Sequence, residues 1–171
     1  MLDFPSLKTD RLHLRAPLET DGPVVLMLRS DPVVNEFVKR PKPNNLDEAL
    51  EFIDKLNSQF ETDKSVYWVI NLSPSDKMIG SICLWKFTED RKKAELGYDL
   101  HPSFQNQGIM SEAIQAVLKY GFGELNLKTV DAFTQNDNLS SVALLKKNNF
   151  TLNEAISDPD NEKNIVFEIH R

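Results

Sequence analysis

Residues Leu96 to Ile114 read LGYDLHPSFQNQGIMSEAI, and the order of residue types within them decides the fold. The stretch leaves a strand at Leu100, breaks at His101 and Pro102, passes a polar turn ending at Gly108, and enters an amphipathic helix. A strand feeding a helix through such a turn leaves the first helical N–H groups without intrahelical acceptors, at the partly positive end of the helix dipole. That is an anion site, and the natural anion is a phosphate. Gln105, Asn106, Gln107 and Gly108, followed by Ile109, Met110 and Ser111, are therefore the candidate cradle for a phosphate-bearing cofactor.

Working outward, the helix is predicted over residues 108–122, with Ile109, Ala113, Val117 and Tyr120 on its apolar side and Gly121 and Gly123 as its stop. A strand over Thr129–Thr134 follows. A strand, helix, strand unit of this length implies a parallel pair with a right-handed crossover. On the other side, Val66–Leu72, Met78–Phe87 and Ala94–Leu100 form an antiparallel meander. The first two carry apolar residues at odd and even positions alike, which predicts helices over both faces of the sheet.

The remaining elements fall into place around that centre. Leu12, Leu14 and Ala16 alternate as a first strand, and Asp21 is placed to cap a short helix over Asp21–Arg29. A turn over Val33–Phe37 and the Pro-broken basic segment Lys39–Asn45, read as a solvated connector, lead to a helix from Asn45 or Asp47 to Thr62. After the parallel strand, Asn138 opens a helix through Asn148 with Leu139, Val142 and Leu145 inward. Strands over Phe150–Ile156 and Ile165–Ile169 close the chain. The expected fold class is α/β (α+β): a mixed, mostly antiparallel sheet of about seven strands, helices on both faces, one parallel unit, and a single domain over residues 1–171.

Composition narrows the function classes. With 20 Lys+Arg against 26 Asp+Glu, the formal charge of −6 speaks against a sequence-independent nucleic-acid binder and suits a cationic acceptor. The single cysteine, Cys83, lies in an apolar run and reads as a core residue rather than a nucleophile. No apolar run approaches the ~18 residues that span a bilayer, so a cytoplasmic protein without membrane contact is expected. His13, His101 and His170 have no metal-ligand spacing, and no metal is expected. The chain lacks a Gly-x-x-x-x-Gly-Lys-Ser/Thr run and a Gly-x-Gly-x-x-Gly turn, which disfavours a nucleotide-binding protein.

In combination, Thr9-Asp10-Arg11-Leu12, Glu95-Leu96-Gly97-Tyr98, His101-Pro102, Gln107-Gly108-Ile109-Met110-Ser111-Glu112-Ala113, Asn138-Leu139-Ser140-Ser141 and Lys147-Asn148-Asn149-Phe150 resemble the GNAT N-acetyltransferases. The likeness is to the RimJ/RimL-type branch, which includes ribosomal-protein N-terminal acetyltransferases, and it covers nearly the whole chain. The resemblance implies acetyl-CoA as cosubstrate, with the family's pyrophosphate pattern falling on Gln105, Gly108 and Met110. Met110 departs from the Gly or Ala usual there, which is tolerable if its side chain enters the core. The resemblance further implies pantetheine contacts from the backbone of Asp99, Leu100 and His101 and from Asn138, with Lys147 among the cofactor residues and Ser141 near the thioester sulfur. The family's Lys-x-Gly-Phe helix end here carries Asn149 in place of Gly, and Asn also adopts the left-handed conformation.

For chemistry, the acceptor amine must lose a proton and the departing thiolate should gain one. A protein α-amine near pKa ~8 is about one-tenth neutral at pH 7, whereas deprotonating a Lys near ~10.4 costs roughly 4–5 kcal/mol. Glu95 and Asp99 lie two strand periods apart on one face and are the candidate bases, directly or through water. Each also reads as an ordinary strand carboxylate. Ser141 is the candidate donor to sulfur, although Asn138 and Ser141 equally fit a helix cap. Tyr98 is a further acid candidate. The expected reaction is acetyl transfer by direct attack onto a protein N-terminal α-amine. A polyamine or amino-sugar acceptor and a catalytically silent CoA-binding module stay open, as does the choice between monomer and homodimer.

Overall fold

The structure, a computed structural model, describes residues 3–171. Strands β1 (Leu7–Lys8), β2 (Leu12–Arg15), β3 (Val66–Leu72), β4 (Met78–Trp85), β5 (Lys93–Leu100), β6 (Thr129–Gln135), β7 (Thr151–Leu152) and β8 (Asn164–His170) form one sheet in the order β1-β2-β3-β4-β5-β6-β8-β7. Every neighbouring pair is antiparallel except β5 and β6. The sheet has eight strands rather than about seven. The additions and losses are local: β1 spans two residues, too short to show alternation, and the strand expected over Phe150–Ile156 contracts to the exposed pair Thr151–Leu152.

Helices cover both faces. Helix α3 (Ile109–Gly123) and helix α4 (Leu139–Lys147) lie on one, tied together by Ser111 Oγ donating to Asn148 Oδ1 at 3.1 Å. Buried Ile109, Ala113, Ile114 and Val117 of α3 pack on Leu12, Trp68, Leu84, Leu96 and Val130. At ~1.5–3 kcal/mol for each large aliphatic chain buried, packing rather than helix propensity fixes α3 on the sheet. Helices α1 (Gly22–Ser30) and α2 (Leu46–Glu61) cover the other face through Val25, Leu28, Ala49 and Ile53 on Val69 and Met78.

Several local expectations are corrected. Asp21 precedes α1 but does not cap it with its side chain. Its carboxylate instead accepts two hydrogen bonds from Arg15, at 2.8 and 2.9 Å, and one from Leu18 N–H, because a buried carboxylate is better compensated by a bidentate guanidinium. Gly121 and Gly123 lie inside α3; the chain turns after it at left-handed Asn126, φ 54°. Gly121 serves close packing, since a Cβ there would lie 3.2 Å from Leu127 Cδ1 and 3.4 Å from Leu84 Cδ1. Leu139, placed inward from the sequence, is 75% exposed because it opens α4 at the surface, and Leu145 is that helix's buried anchor.

The feature that positions the site is a parting of strands. β5 pairs with β6 only from Lys93↔Thr129 to Leu96↔Ala132. Beyond that point β5 stays on β4 as far as Leu100, and β6 stays on β8 as far as Gln135. A wedge-shaped gap opens between them.

Candidate functional site

At the wide end of the gap, Gly108 stands at the N-cap of α3 with φ +75°, which a residue bearing a Cβ adopts only with strain. Among the described residues, the N–H groups from Asn106 to Ser111 have no main-chain acceptor, and no side chain caps the helix. The turn is held from outside. Arg11 donates to Gln107 O at 3.0 Å and to Glu112 at 2.7 Å, and Thr9 donates to the same carboxylate at 2.5 Å. Burial would raise the Glu112 carboxyl, but these donors outweigh it and hold it below the usual range. Gln105 spends its side-chain amide on Leu100 O at 3.0 Å. Met110 is buried in the core, so its departure from the small-residue pattern leaves the turn open.

Along the gap, His101 N–H donates to Ile79 O at 2.8 Å, which makes Gly80↔Leu100 a pair whose own main-chain groups face away from β4. The groups of Tyr98 and Leu100 therefore face the gap. Those of Asp99 and the N–H of His101, which the resemblance assigns to that edge, face β4, and the His101 carbonyl accepts from Phe104 N–H at 2.9 Å.

On the α3 side of the gap, Tyr98 Oη and Ser141 Oγ share a hydrogen bond of 2.7 Å, linking β5 to α4. Burial pushes the Tyr98 hydroxyl up to about 12, with the Ser141 bond opposing it. Tyr98 therefore remains a proton donor at any ordinary pH. Asn138 caps α4, its Oδ1 accepting from Ser141 N–H at 3.2 Å, and so fixes where Ser141 stands. Lys147 is exposed at the far end of α4.

The opposite face holds the two carboxylates, in different company. Asp99 is bound by Arg40 at 2.9 Å and by Ser81 Oγ at 2.6 Å. Arg40 also donates to Asn35 Oδ1 at 2.7 Å and Leu28 O at 3.1 Å. The basic connector read as solvated is thus pinned through Arg40 to the C-terminal end of β5, a link that sequence reasoning missed because the partners lie 59 positions apart. Glu95 is 14% exposed and, among the described residues, has Lys86 as its one side-chain partner, at 3.1 Å. Burial pushes its carboxyl up, with Lys86 pulling in the other direction. Of the two, Glu95 has the freer lone pairs. Cys83 lies between them, its thiol pushed up to about 12 by burial and by Asp99, which removes it as a nucleophile.

Two surface depressions lie apart from the Tyr98–Ser141 pair. One of about 640 Å³ runs between Ser6–Asp10 and the outer side of α3, and one of about 510 Å³ lies between Lys39 and Pro159–Lys163. Among the described residues, no helix is long and apolar enough to cross a membrane.

Residues 11–151 match the acetyltransferase (GNAT) domain family. The N-acetyltransferase YoaA of Bacillus subtilis is 29% identical over 147 residues, covering 86% of this chain and 83% of that protein. The ribosomal-protein-serine acetyltransferase of Escherichia coli is 37% identical over 79 residues, 45% of this chain and 43% of its own. Among solved structures, RimL, a ribosomal L7/L12 alpha-N-protein acetyltransferase in complex with coenzyme A, superposes with a TM-score of 0.83 at 21% identity over 97% of this chain and 98% of that one. That superposition speaks for the fold alone. The domain match runs through the strand, turn and helix that organise the sheet, and the chain belongs to the GNAT family of N-acetyltransferases.

Proposed function

We propose that the chain acts as one domain transferring the acetyl group of acetyl-CoA to a protein N-terminal α-amine. The observation that carries this reading is the run of unpartnered amides from Asn106 to Ser111, opening where β5 leaves β6. Those amides suit a diphosphate, and Gly108 admits it closely, so the residues present fit the cosubstrate. When bound, acetyl-CoA supplies a thioester carbonyl and a thiolate leaving group.

The residues around the gap divide the proton work between two faces. Tyr98, with both main-chain groups, and Leu100, with its N–H, would serve an extended pantetheine arm as a sheet edge serves a peptide, the Leu100 carbonyl being held by Gln105. The Tyr98–Ser141 hydroxyl pair would stand beside the thioester sulfur and supply the hydrogen-bond donor for the leaving thiolate. Glu95, on the other face, takes the proton the attacking amine sheds. Asp99, already bound by Arg40 and Ser81, holds the connector rather than acting as base. The N-terminal preference is supported by the acceptors named for two of the similar proteins and by arithmetic: an α-amine needs only a modest base, and Glu95 is one.

The test is release of free thiol from acetyl-CoA over a panel of N-terminal peptides, lysine-bearing peptides with blocked N-termini, and polyamines. Peptides with free N-termini should turn over fastest. Because burial raises the Glu95 carboxyl, its basic form appears only above the ordinary glutamate range, so the rate should climb with pH there. Glu95→Gln should flatten that climb. A faster reaction with polyamines would overturn the choice of acceptor.

A further inference from the structure

At the narrow end of the gap the sheet holds a cation. Lys86 follows the last residue of β4 with φ +48°, a left-handed turn that folds its side chain back along the sheet. Its Nζ lies 3.1 Å from Glu95 Oε2, 4.4 Å from the centroid of the Trp85 ring and 5.8 Å from that of Phe133. These partners come from three adjacent strands. Trp85 and Glu95 are a register pair, Glu95 pairs with Asp131, and Phe133 stands two residues on from Asp131, just beyond the last β5–β6 pair. A carboxylate beside two ring faces is the chemistry that recognises an alkylammonium.

The partners also differ in exposure. The Glu95 side chain is 14% exposed, whereas Lys86 is 57% exposed. An ordinary surface pair leaves both ends in water; here the carboxylate is largely enclosed, Trp85 flanks it at 39% exposure, and the occupant is free to swing out. Asp131, itself paired with Lys93 at 2.7 Å, and Asp158 both act on Glu95 through their charge, and Glu95 is the carboxylate that faces the place Lys86 leaves.

We propose that Glu95, Trp85 and Phe133 form the acceptor's ammonium site, and that Lys86 is an internal occupant which the incoming amine displaces. This rests on the acetyl-transfer reading above, which supplies the reason for an amine to arrive at the narrow end of the gap. The acceptor enters as an ammonium, loses its proton to Glu95, and is left neutral in the place Lys86 vacates. Competition with a tethered ammonium weakens the apparent affinity for the acceptor in proportion to the time Lys86 spends in the site. It also filters for primary amines that carry enough further binding energy to evict it.

The experiment is a titration of the full chain with n-butylammonium chloride, read by the fluorescence of partly exposed Trp85, in wild type, Lys86→Met and Glu95→Gln. Removing a competitor that fills the site about nine-tenths of the time should tighten binding about tenfold in Lys86→Met. Glu95→Gln should weaken it by at least that factor. Equal affinity in Lys86→Met and wild type, or an unaffected Glu95→Gln, overturns the proposal. Lys86→Gln replaces Lys86→Met should the latter fail to fold. CoA binding measured by calorimetry on the same preparations keeps the two ideas apart. Absent CoA binding removes the acetyl-transfer reading, whereas intact CoA binding with no tightening in the Lys86 variant removes only the displacement.

Discussion

On the α3 side of the sheet, the groups facing the β5–β6 gap come from two short continuous stretches. One runs from Tyr98 to Ser111 and the other from Asn138 to Ser141, and much of their contribution is main chain. On the α1–α2 side, the groups around Glu95 and Asp99 come from scattered places: Asn35 from the turn after α1, Arg40 from the connector, Ser81 and Lys86 from and after β4, the two carboxylates from β5, and Phe133 from β6. All of that contribution is side chain. The contrast teaches where change is tolerated. A backbone cradle is set by turn geometry and survives most substitutions outside its glycine. A side-chain pocket is rewritten by single replacements.

The largest effect expected from this contrast is at Gly108. A Cβ there meets nothing closer than Arg11 Nη2 at 3.5 Å, so the obstacle is the backbone at φ +75° and not crowding. Gly108→Val should cut CoA affinity at least ~100-fold, about 2.7 kcal/mol, by turning the amides off their common centre. Gly108→Asn, which tolerates the left-handed region, should recover most of the loss. Calorimetry decides the matter: equal affinities for the valine and asparagine variants would mean that conformation at this turn is irrelevant.

The same contrast explains how much of the molecule could be read beforehand. The parallel unit, the meander and the Gly108 turn were legible because each depends on residues within a few positions of one another. β3, predicted over Val66–Leu72, is found with those bounds. Met110 goes into the core and Asn149 into the left-handed conformation, φ 65°, as local chemistry requires. The Arg40–Asp99 link, the pairing of Tyr98 with Ser141, and the seat of Lys86 on two rings were not legible. Each joins distant segments, and nothing in spacing reports which strand neighbours which face. Asp21 shows the limit in miniature: the capping position was correct, but a nearby guanidinium outbid the helix for its carboxylate.

A moderate effect is expected where the scattered face is tied together. Arg40 is 18% exposed and Asp99 7%, so Arg40→Met leaves a largely buried carboxylate with Ser81 as its remaining side-chain partner. Losing one partner of a fully buried pair costs 3–5 kcal/mol. With residual solvent access, about 2–3 kcal/mol is expected here, or roughly 5–10 °C in Tm. CoA affinity should stay within a few-fold, because the cradle lies on the other side of the sheet. Adding Asp99→Asn should restore at least half the stability. A loss that persists in the double variant would show that Arg40 holds the connector through Asn35 and Leu28 alone.

The smallest effect tests whether the α3–α4 face is as locally determined as the comparison holds. At the end of α4, Phe150 N–H donates to Leu145 O at 3.0 Å and Asn149 N–H to Lys146 O at 3.1 Å, the paired bonds of a Schellman ending, with Leu145 and Phe150 both buried. Only the residue between them, Asn149, must take positive φ, and it is exposed. Its side chain is therefore free of packing duties, and its contribution is conformational. Asn149→Ala should cost about 1 kcal/mol, some 2–4 °C in Tm, while Asn149→Gly should lie within about 0.5 kcal/mol of wild type, since glycine pays no strain there but gains entropy in the unfolded chain. Equal melting for alanine and glycine would mean that burial of Leu145 and Phe150 alone ends the helix. The turn would then owe its shape to long-range packing, and the distinction between the two faces would weaken.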